Sequence, residues 1–287
     1  MKPAPFEYHR PASLAETFDL LDRYGDDGRI LAGGQSLVPT LNMRLVTPRA
    51  VIDINRLPGL DAIRATPEGL TIGALVRHEA LERSALVTEH ASLIAMAIPH
   101  VGHAAIRARG TIGGSLALAD PAAELPACAV ALQATIRVTG RRGGRDIAAA
   151  DFFRGIYTTA LEPGEIVTAI AVPRAAAGWR WGFEELARRH GDFALAGLAA
   201  GVRLEGAAVA EARLVFFGVG TKPVRARAAE AALIGRRADA DALAAAGRAL
   251  DGALDPPGDI HGSPALRRHL ARVLLARVVS RLAEEGS

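Results

Sequence analysis

Ile30-Leu31-Ala32-Gly33-Gly34-Gln35-Ser36-Leu37 and Arg109-Gly110-Thr111-Ile112-Gly113-Gly114-Ser115 decide how this 287-residue chain is read. Each holds two adjacent glycines followed closely by a serine. Two neighbouring residues without Cβ let the backbone take positive φ and turn successive N–H groups toward an anion. Two such turns, each expected to close a strand, would hold the two phosphates of a dinucleotide from opposite sides. Neither stretch contains the G-x-G-x-x-G of a nicotinamide-binding βαβ unit or the G-x-x-x-x-G-K-[ST] of a phosphate loop. The ordinary doubly wound nucleotide folds thereby lose their main support, and a flavin-type dinucleotide becomes the first expectation.

Composition narrows the field. With 50% hydrophobic residues the chain can bury a substantial core, and its length suggests two domains of ordinary size. Lysine and arginine number 34 against 31 acidic residues, for a net charge of +3, so there is no strong basic excess. The densest basic cluster, Arg141-Arg142-Gly143-Gly144-Arg145, lacks interleaved aromatics and reads as a solvated hairpin tip, which argues against nucleic-acid binding. The single cysteine, Cys128, excludes an internal disulfide framework and a cysteine-ligated iron–sulfur cluster within this chain. No apolar run is long enough to span a membrane, and the first residues lack a hydrophobic signal core, so the expected compartment is the cytoplasm.

Patterning predicts an α+β fold, with mixed strands and segregated helices rather than a strict β-α repeat. A helix is expected over 14–24, opened by Ser13 with Glu16 three residues on, the capping-box spacing. Strands follow near 30–31, 51–54 and 70–75, helices over 78–89, 92–98 and 121–132, and strands over 135–139 and 166–172. Pro173-Arg174-Ala175-Ala176-Ala177-Gly178 reads as a linker, dividing the chain into 1–175 and 178–287. Beyond it come strands at 181–186, 198–205 and 212–218, then helices at 224–234, 240–250 and 264–284. The last opens on Ser263-Pro264, a strong start signal.

Read with their flanks, these segments resemble one family. Ala32-Gly-Gly-Gln-Ser-Leu-Val-Pro39 with Asn42-Met43-Arg44-Leu45, and Arg109-Gly-Thr-Ile-Gly-Gly-Ser-Leu116 with Ala119-Asp120-Pro121-Ala122-Ala123-Glu124, are similar to the flavin-binding subunit of molybdenum hydroxylases of the carbon monoxide and xanthine dehydrogenase type. Leu186-Ala187-Arg188-Arg189-His190-Gly191-Asp192-Phe193-Ala194 and Gly218-Val219-Gly220-Thr221-Lys222-Pro223-Val224-Arg225-Ala226 extend the match in the same order.

The resemblance implies a two-part FAD-binding domain of the vanillyl-alcohol-oxidase type, followed by a smaller domain with a three-stranded sheet and helices. It implies noncovalent FAD with its pyrophosphate on Ala32, Gly33, Gly34, Gln35, Ser36 and Leu37 and on Thr111, Ile112, Gly113, Gly114 and Ser115. Glu124 stands where the family usually has an aspartate that accepts a hydrogen bond from the cofactor. Asp192 and Phe193 stand where the family places an aspartate and an aromatic close to the isoalloxazine ring. Many relatives carry a lysine just before this block, where this chain has Glu184-Glu185. The implied partners are a large molybdenum-cofactor subunit and a small subunit with two [2Fe–2S] clusters, assembled as a dimer of heterotrimers. In such an assembly this chain passes electrons from the clusters to an external acceptor.

Other chemistries find less support. His100-Val101-Gly102-His103 has no accompanying cysteine or carboxylate cluster and reads as surface or interface histidine rather than a metal site. Ser36 and Ser115 lack a local base and orienting acid for nucleophilic catalysis. Two alternatives remain open at this point: a self-contained FAD-dependent oxidase or reductase of the same fold, and a cofactor-free scaffold descended from one.

Overall fold

The structure, a computed structural model, describes residues 2–284. Strands β1 (Glu7–His9), β2 (Gly28–Leu31) and β3 (Ala50–Asp53) form a small parallel sheet in the order β1-β3-β2. The central strand β3 is buried at all four positions, as the middle of a covered parallel sheet requires. The helix Leu14–Tyr24 begins at Ser13, whose hydroxyl accepts from the Glu16 amide, while the Glu16 carboxylate accepts from the Ala12 amide.

Strands β4 (Ile63–Thr66), β5 (Gly69–Gly73), β6 (Thr135–Gly140) and β7 (Gly143–Ala148) belong to a second, antiparallel sheet. A short pair, β8 (Phe153–Gly155) and β9 (Thr158–Thr159), precedes β10 (Ile166–Pro173), which completes the second sheet in the order β4-β5-β10-β6-β7. The turn between β6 and β7 is the basic hairpin tip. It is not merely solvated, because Arg141 reaches Asp19 and Asp22 of the first helix and Arg145 pairs with Glu165.

A third sheet is antiparallel, with β11 (Trp179–Leu186), β12 (Ala196–Glu205), β13 (Ala208–Phe217) and a two-residue edge strand β14 (Val224–Arg225). The expected three-stranded sheet is thus three long strands plus this edge, and the helix expected from 224 starts instead at Arg227. Period-two alternation lets the sheet serve two cores. Leu198, Ala200, Leu214 and Phe216 face the helices Arg227–Leu233, Ala240–Ala249 and Pro264–Glu284, while Ala199, Val215 and Phe217 join the core of the second sheet.

The helical region between β5 and β6 is more broken than its sequence suggests. The helix expected over 78–89 is two, His78–Glu82 and Ala85–His90, because the Ser84 hydroxyl caps the second by accepting from the Val87 amide. The helix expected from 121 begins at Glu124, since Asp120 turns the chain by accepting from the Ala122 amide. Among the described residues, no helix is long and apolar enough to cross a membrane.

Candidate functional site

The first glycine segment leaves β2 and enters the helix Leu37–Asn42. Gly34 takes φ +75°, the left-handed region that favours glycine. Among the described residues, the amides of 33–37 have no protein acceptor. The Gln35 side chain folds back so that its Nε2 donates to the Gly33 carbonyl at 3.0 Å. Each of these five successive amides is a donor left to water or a ligand, the kind of donor set that can receive an anion.

The second segment is built differently, and the expectation that it closes a strand is not met. It follows the short helix Ala104–Arg107 and itself opens the helix Ile112–Leu118, with Thr111 as N-cap. Four of its amides are spoken for: Ile112 donates to the Val76 carbonyl at 3.1 Å, Gly113 to Ala74 at 2.9 Å, Gly114 to the Thr111 hydroxyl at 3.1 Å, and Ser115 to the Thr111 carbonyl at 3.0 Å. Neither glycine has a positive φ. A Cβ on Gly113 would lie 2.5 Å from the Ala74 side chain, so glycine is needed there for close packing.

The two segments touch. A Cβ on Gly33 would lie 2.6 Å from the Arg109 carbonyl oxygen and 2.8 Å from the Gly110 Cα. The buried His78 lies behind this junction, its amide donating to the Gly110 carbonyl at 3.0 Å. Burial lowers its imidazole to about 4, so the ring is neutral at ordinary pH.

Asp192 and Phe193 line a cavity of about 840 Å³ whose walls include no residue of either glycine segment. Other walls are Asp120, Tyr157, Arg188, Gly218 and Arg267, so the cavity lies where the chain before 175 meets the chain after 178. Phe193 is 69% exposed, which excludes a core role. The Tyr157 hydroxyl donates to Asp120 at 3.3 Å, and the Gly218 amide donates to the Pro121 carbonyl at 2.8 Å, joining the two parts at the cavity rim.

Glu124 is buried at the start of the helix Glu124–Ala131. Burial pushes its carboxyl up to about 8, helped by the nearby charge of Glu185, so it holds its proton at neutral pH. A carboxyl in this state both donates and accepts. His100 lies 3.6 Å from Glu185, which raises the imidazole's pKa, and His103 packs against Gly191. These histidines are therefore interface residues. Among the described residues, no group of three or more histidine, cysteine or acidic side chains could hold a metal. Of the glutamate pair, Glu184 turns the other way, to Arg277 at 3.1 Å and Arg281 at 3.5 Å.

The family model described as the FAD binding domain in molybdopterin dehydrogenase matches residues 4–175, and that of the CO dehydrogenase flavoprotein C-terminal domain matches residues 181–282. The chain belongs to the FAD-binding medium subunits of the molybdenum hydroxylases. This medium subunit is 38% identical to the 6-hydroxypseudooxynicotine dehydrogenase complex subunit alpha of Paenarthrobacter nicotinovorans, over 98% of this chain and 95% of that one. It is 36% identical to the carbon monoxide dehydrogenase medium chain of Afipia carboxidovorans, over 98% of each. Among solved structures it resembles the carbon monoxide dehydrogenase of Hydrogenophaga pseudoflava, with a TM-score of 0.95 at 38% identity and 98% of both chains covered. The medium subunit is thus an oxidoreductase component, as the family resemblance implied. Asn55 and Arg77, which bridge its glycine segments, lie outside the motifs read from the sequence. They are isolated polar residues 22 positions apart, with no pattern to pair them.

Proposed function

We propose that this medium subunit carries one noncovalent FAD, takes electrons from [2Fe–2S] clusters on a small partner subunit and delivers them to an external acceptor. Organic or gaseous substrate would be oxidised at a molybdenum cofactor on a large partner subunit, within a dimer of heterotrimers. FAD, when bound, supplies the redox chemistry, and the protein supplies its binding, orientation and surroundings. The observation that carries this reading is the run of amides at 33–37 without protein acceptors, a donor set that fits a pyrophosphate.

In this reading residues 1–175 form the cofactor-binding domain and 178–287 a second domain. Ala32 to Leu37 hold the pyrophosphate through their backbone. Thr111 and Ser115 contribute hydroxyls, while Ile112, Gly113 and Gly114 hold the second segment in place. Glu124, protonated and able to donate as well as accept, is a hydrogen-bonding partner for the cofactor. Asp192 and the exposed Phe193 form one wall of the ring's surroundings and of the acceptor's approach.

Acid precipitation of the purified protein is expected to release the yellow chromophore into the supernatant as FAD. Flavin retained in the pellet would contradict noncovalent binding, and FMN would remove the pyrophosphate argument. The isolated chain is expected not to oxidise organic substrates. Substrate-dependent bleaching of its flavin without partner chains would revive the self-contained oxidase. A Phe193→Leu variant, loaded with FAD in the assembled complex, is expected to show an altered visible flavin spectrum and slower acceptor turnover. An unchanged spectrum and rate would remove Phe193 from the site.

A further inference from the structure

A chain of side chains spans the two glycine segments. The Asn55 Nδ2 donates to the Ala32 carbonyl of the first segment at 2.8 Å and to Asp53 Oδ1 at 2.6 Å. The Asn55 Oδ1 accepts from Arg77 Nη2 at 2.6 Å, and Arg77 Nη1 donates to the carbonyl of Arg109, at the entrance of the second segment. That same carbonyl is the atom against which Gly33 packs. At the far end, Asp53 is buried on β3 and accepts from the Asn55 amide at 2.9 Å and from the Tyr8 hydroxyl.

Three properties distinguish Arg77 from an ordinary surface arginine. Its guanidinium is partly buried, and both of its hydrogen-bonded partners are neutral oxygens. Among the described residues it has no carboxylate within salt-bridge distance. A planar fork that bonds two segments at fixed spacing is a task for which lysine is a poor substitute. A cation without an ion-pair partner beside five amides that lack protein acceptors also adds to the attraction for an anion.

We propose that Arg77, seated through Asn55 on Asp53, is a positioning residue that fixes the gap between the two glycine segments and thereby sets the affinity for the FAD pyrophosphate. The inference rests on the reading of the first segment as the pyrophosphate site. It names residues that act through the backbone of Ala32 and Arg109 rather than by touching the cofactor.

The test is a titration of the FAD-free full-length chain with FAD, following quenching of flavin fluorescence, for the parent and for Arg77→Met, Arg77→Lys, Asn55→Ala and Ser36→Glu. Arg77→Met is expected to weaken binding by about tenfold or more, the effect of losing charge-assisted hydrogen bonds. Arg77→Lys keeps the charge without the fork and is expected to fall between Arg77→Met and the parent. The Arg77→Met/Asn55→Ala double variant is expected to lose little beyond Arg77→Met, because the two residues act as one strut. Amide hydrogen exchange in the FAD-free chain is expected to quicken at both glycine segments in Arg77→Met and to stay unchanged in β12 and β13, which a general loss of stability would not do.

Ser36 is exposed and outside the strut, so Ser36→Glu tests the underlying reading by placing a negative charge in the first segment. If Ser36→Glu binds FAD as the parent does, the first segment is not the pyrophosphate site and the strut proposal falls with it. If Ser36→Glu weakens binding while Arg77→Met and Arg77→Lys both bind normally, the cradle stands and the strut alone is overturned. Should Arg77→Met fail to fold, Arg77→Lys and Asn55→Ala carry the same comparison.

Discussion

The segments around Gly33-Gly34 and Gly113-Gly114 look like copies in sequence and do opposite things in three dimensions. The first uses a positive φ at Gly34 and, among the described residues, leaves five amides without protein acceptors. The second has ordinary φ values and spends the amides of Ile112 to Ser115 on the Val76 and Ala74 carbonyls and on its own threonine cap. One pair of glycines makes donors available, and the other lets a helix start press against the neighbouring chain. The same dipeptide therefore marks close approach of the protein to itself in both places, at Gly33 against Arg109 and Gly110 and at Gly113 against Ala74, but only the first pair stands in a run of amides left without protein acceptors among the described residues.

Gly113→Val attacks the second role most directly. Its side chain would begin 2.5 Å from the Ala74 Cβ and 2.7 Å from the Ala74 carbonyl oxygen, backbone that cannot swing aside. A loss of about 3 kcal/mol is expected, from forced overpacking, and denaturant unfolding measures it. A variant as stable as the parent would show that this helix start is not packed as described.

The buried His78 under the second segment gives a pH signature. Its folded value of about 4 lies below the ordinary imidazole value of 6.5, so its contribution is complete above that value and is lost as pH falls toward 4. Each pH unit in that window corresponds to about 1.4 kcal/mol per proton. Between pH 6.5 and 5 the parent is expected to lose roughly 2 kcal/mol more than His78→Gln, by the same relation. Urea midpoints that fall in parallel for the two proteins would contradict the buried neutral ring.

At the first segment the cost lies in backbone conformation. Gly34→Ala must adopt φ +75°, and its methyl would meet only the ends of Leu31 and Val38 at 3.1 and 3.2 Å. A loss of about 1 kcal/mol is expected, with Gly34→Asn recovering part of it because asparagine tolerates left-handed φ. Equal losses for Ala and Asn would locate the cost in packing instead.

The smallest effect contrasts the two caps. The Thr111 hydroxyl accepts from the Gly114 amide, whereas the Ser36 side chain caps nothing. Thr111→Val is expected to cost about 1 kcal/mol of stability, and Ser36→Ala less than about 0.5 kcal/mol. Matching losses in thermal unfolding would erase the distinction between the segments.

Much of the architecture could be read from the sequence, because long strands and capped helices carry strong local signals. The helix Pro264–Glu284 has the bounds expected from Ser263-Pro264, and β6, β10, β12 and β13 lie close to their expected positions. Short elements escaped. β1 is three mostly polar residues whose only reason to be a strand is pairing with Ala50, Val51 and Ile52. β14 was hidden in what reads as a helix start.

The candidate site was legible as motifs but not as geometry. That Phe193 is exposed, that the Gly113-Gly114 amides are engaged and that Arg77 meets Asn55 all depend on chain segments distant in sequence. Glu124 shows the same limit. Its place was visible, but its proton depends on burial beneath residues from elsewhere in the chain.

The helix Glu124–Ala131 is buried at all eight positions, and it packs against both β12 and β13. Ala199, Val215 and Phe217 therefore share a core with residues that precede the linker at 173–178. The two stretches of sequence are consequently not exchangeable modules, although the linker between them looks like a natural seam. A chimera that took its second part from a relative would inherit a sheet face shaped for another helix, so recombination at this seam calls for matched changes on both sides.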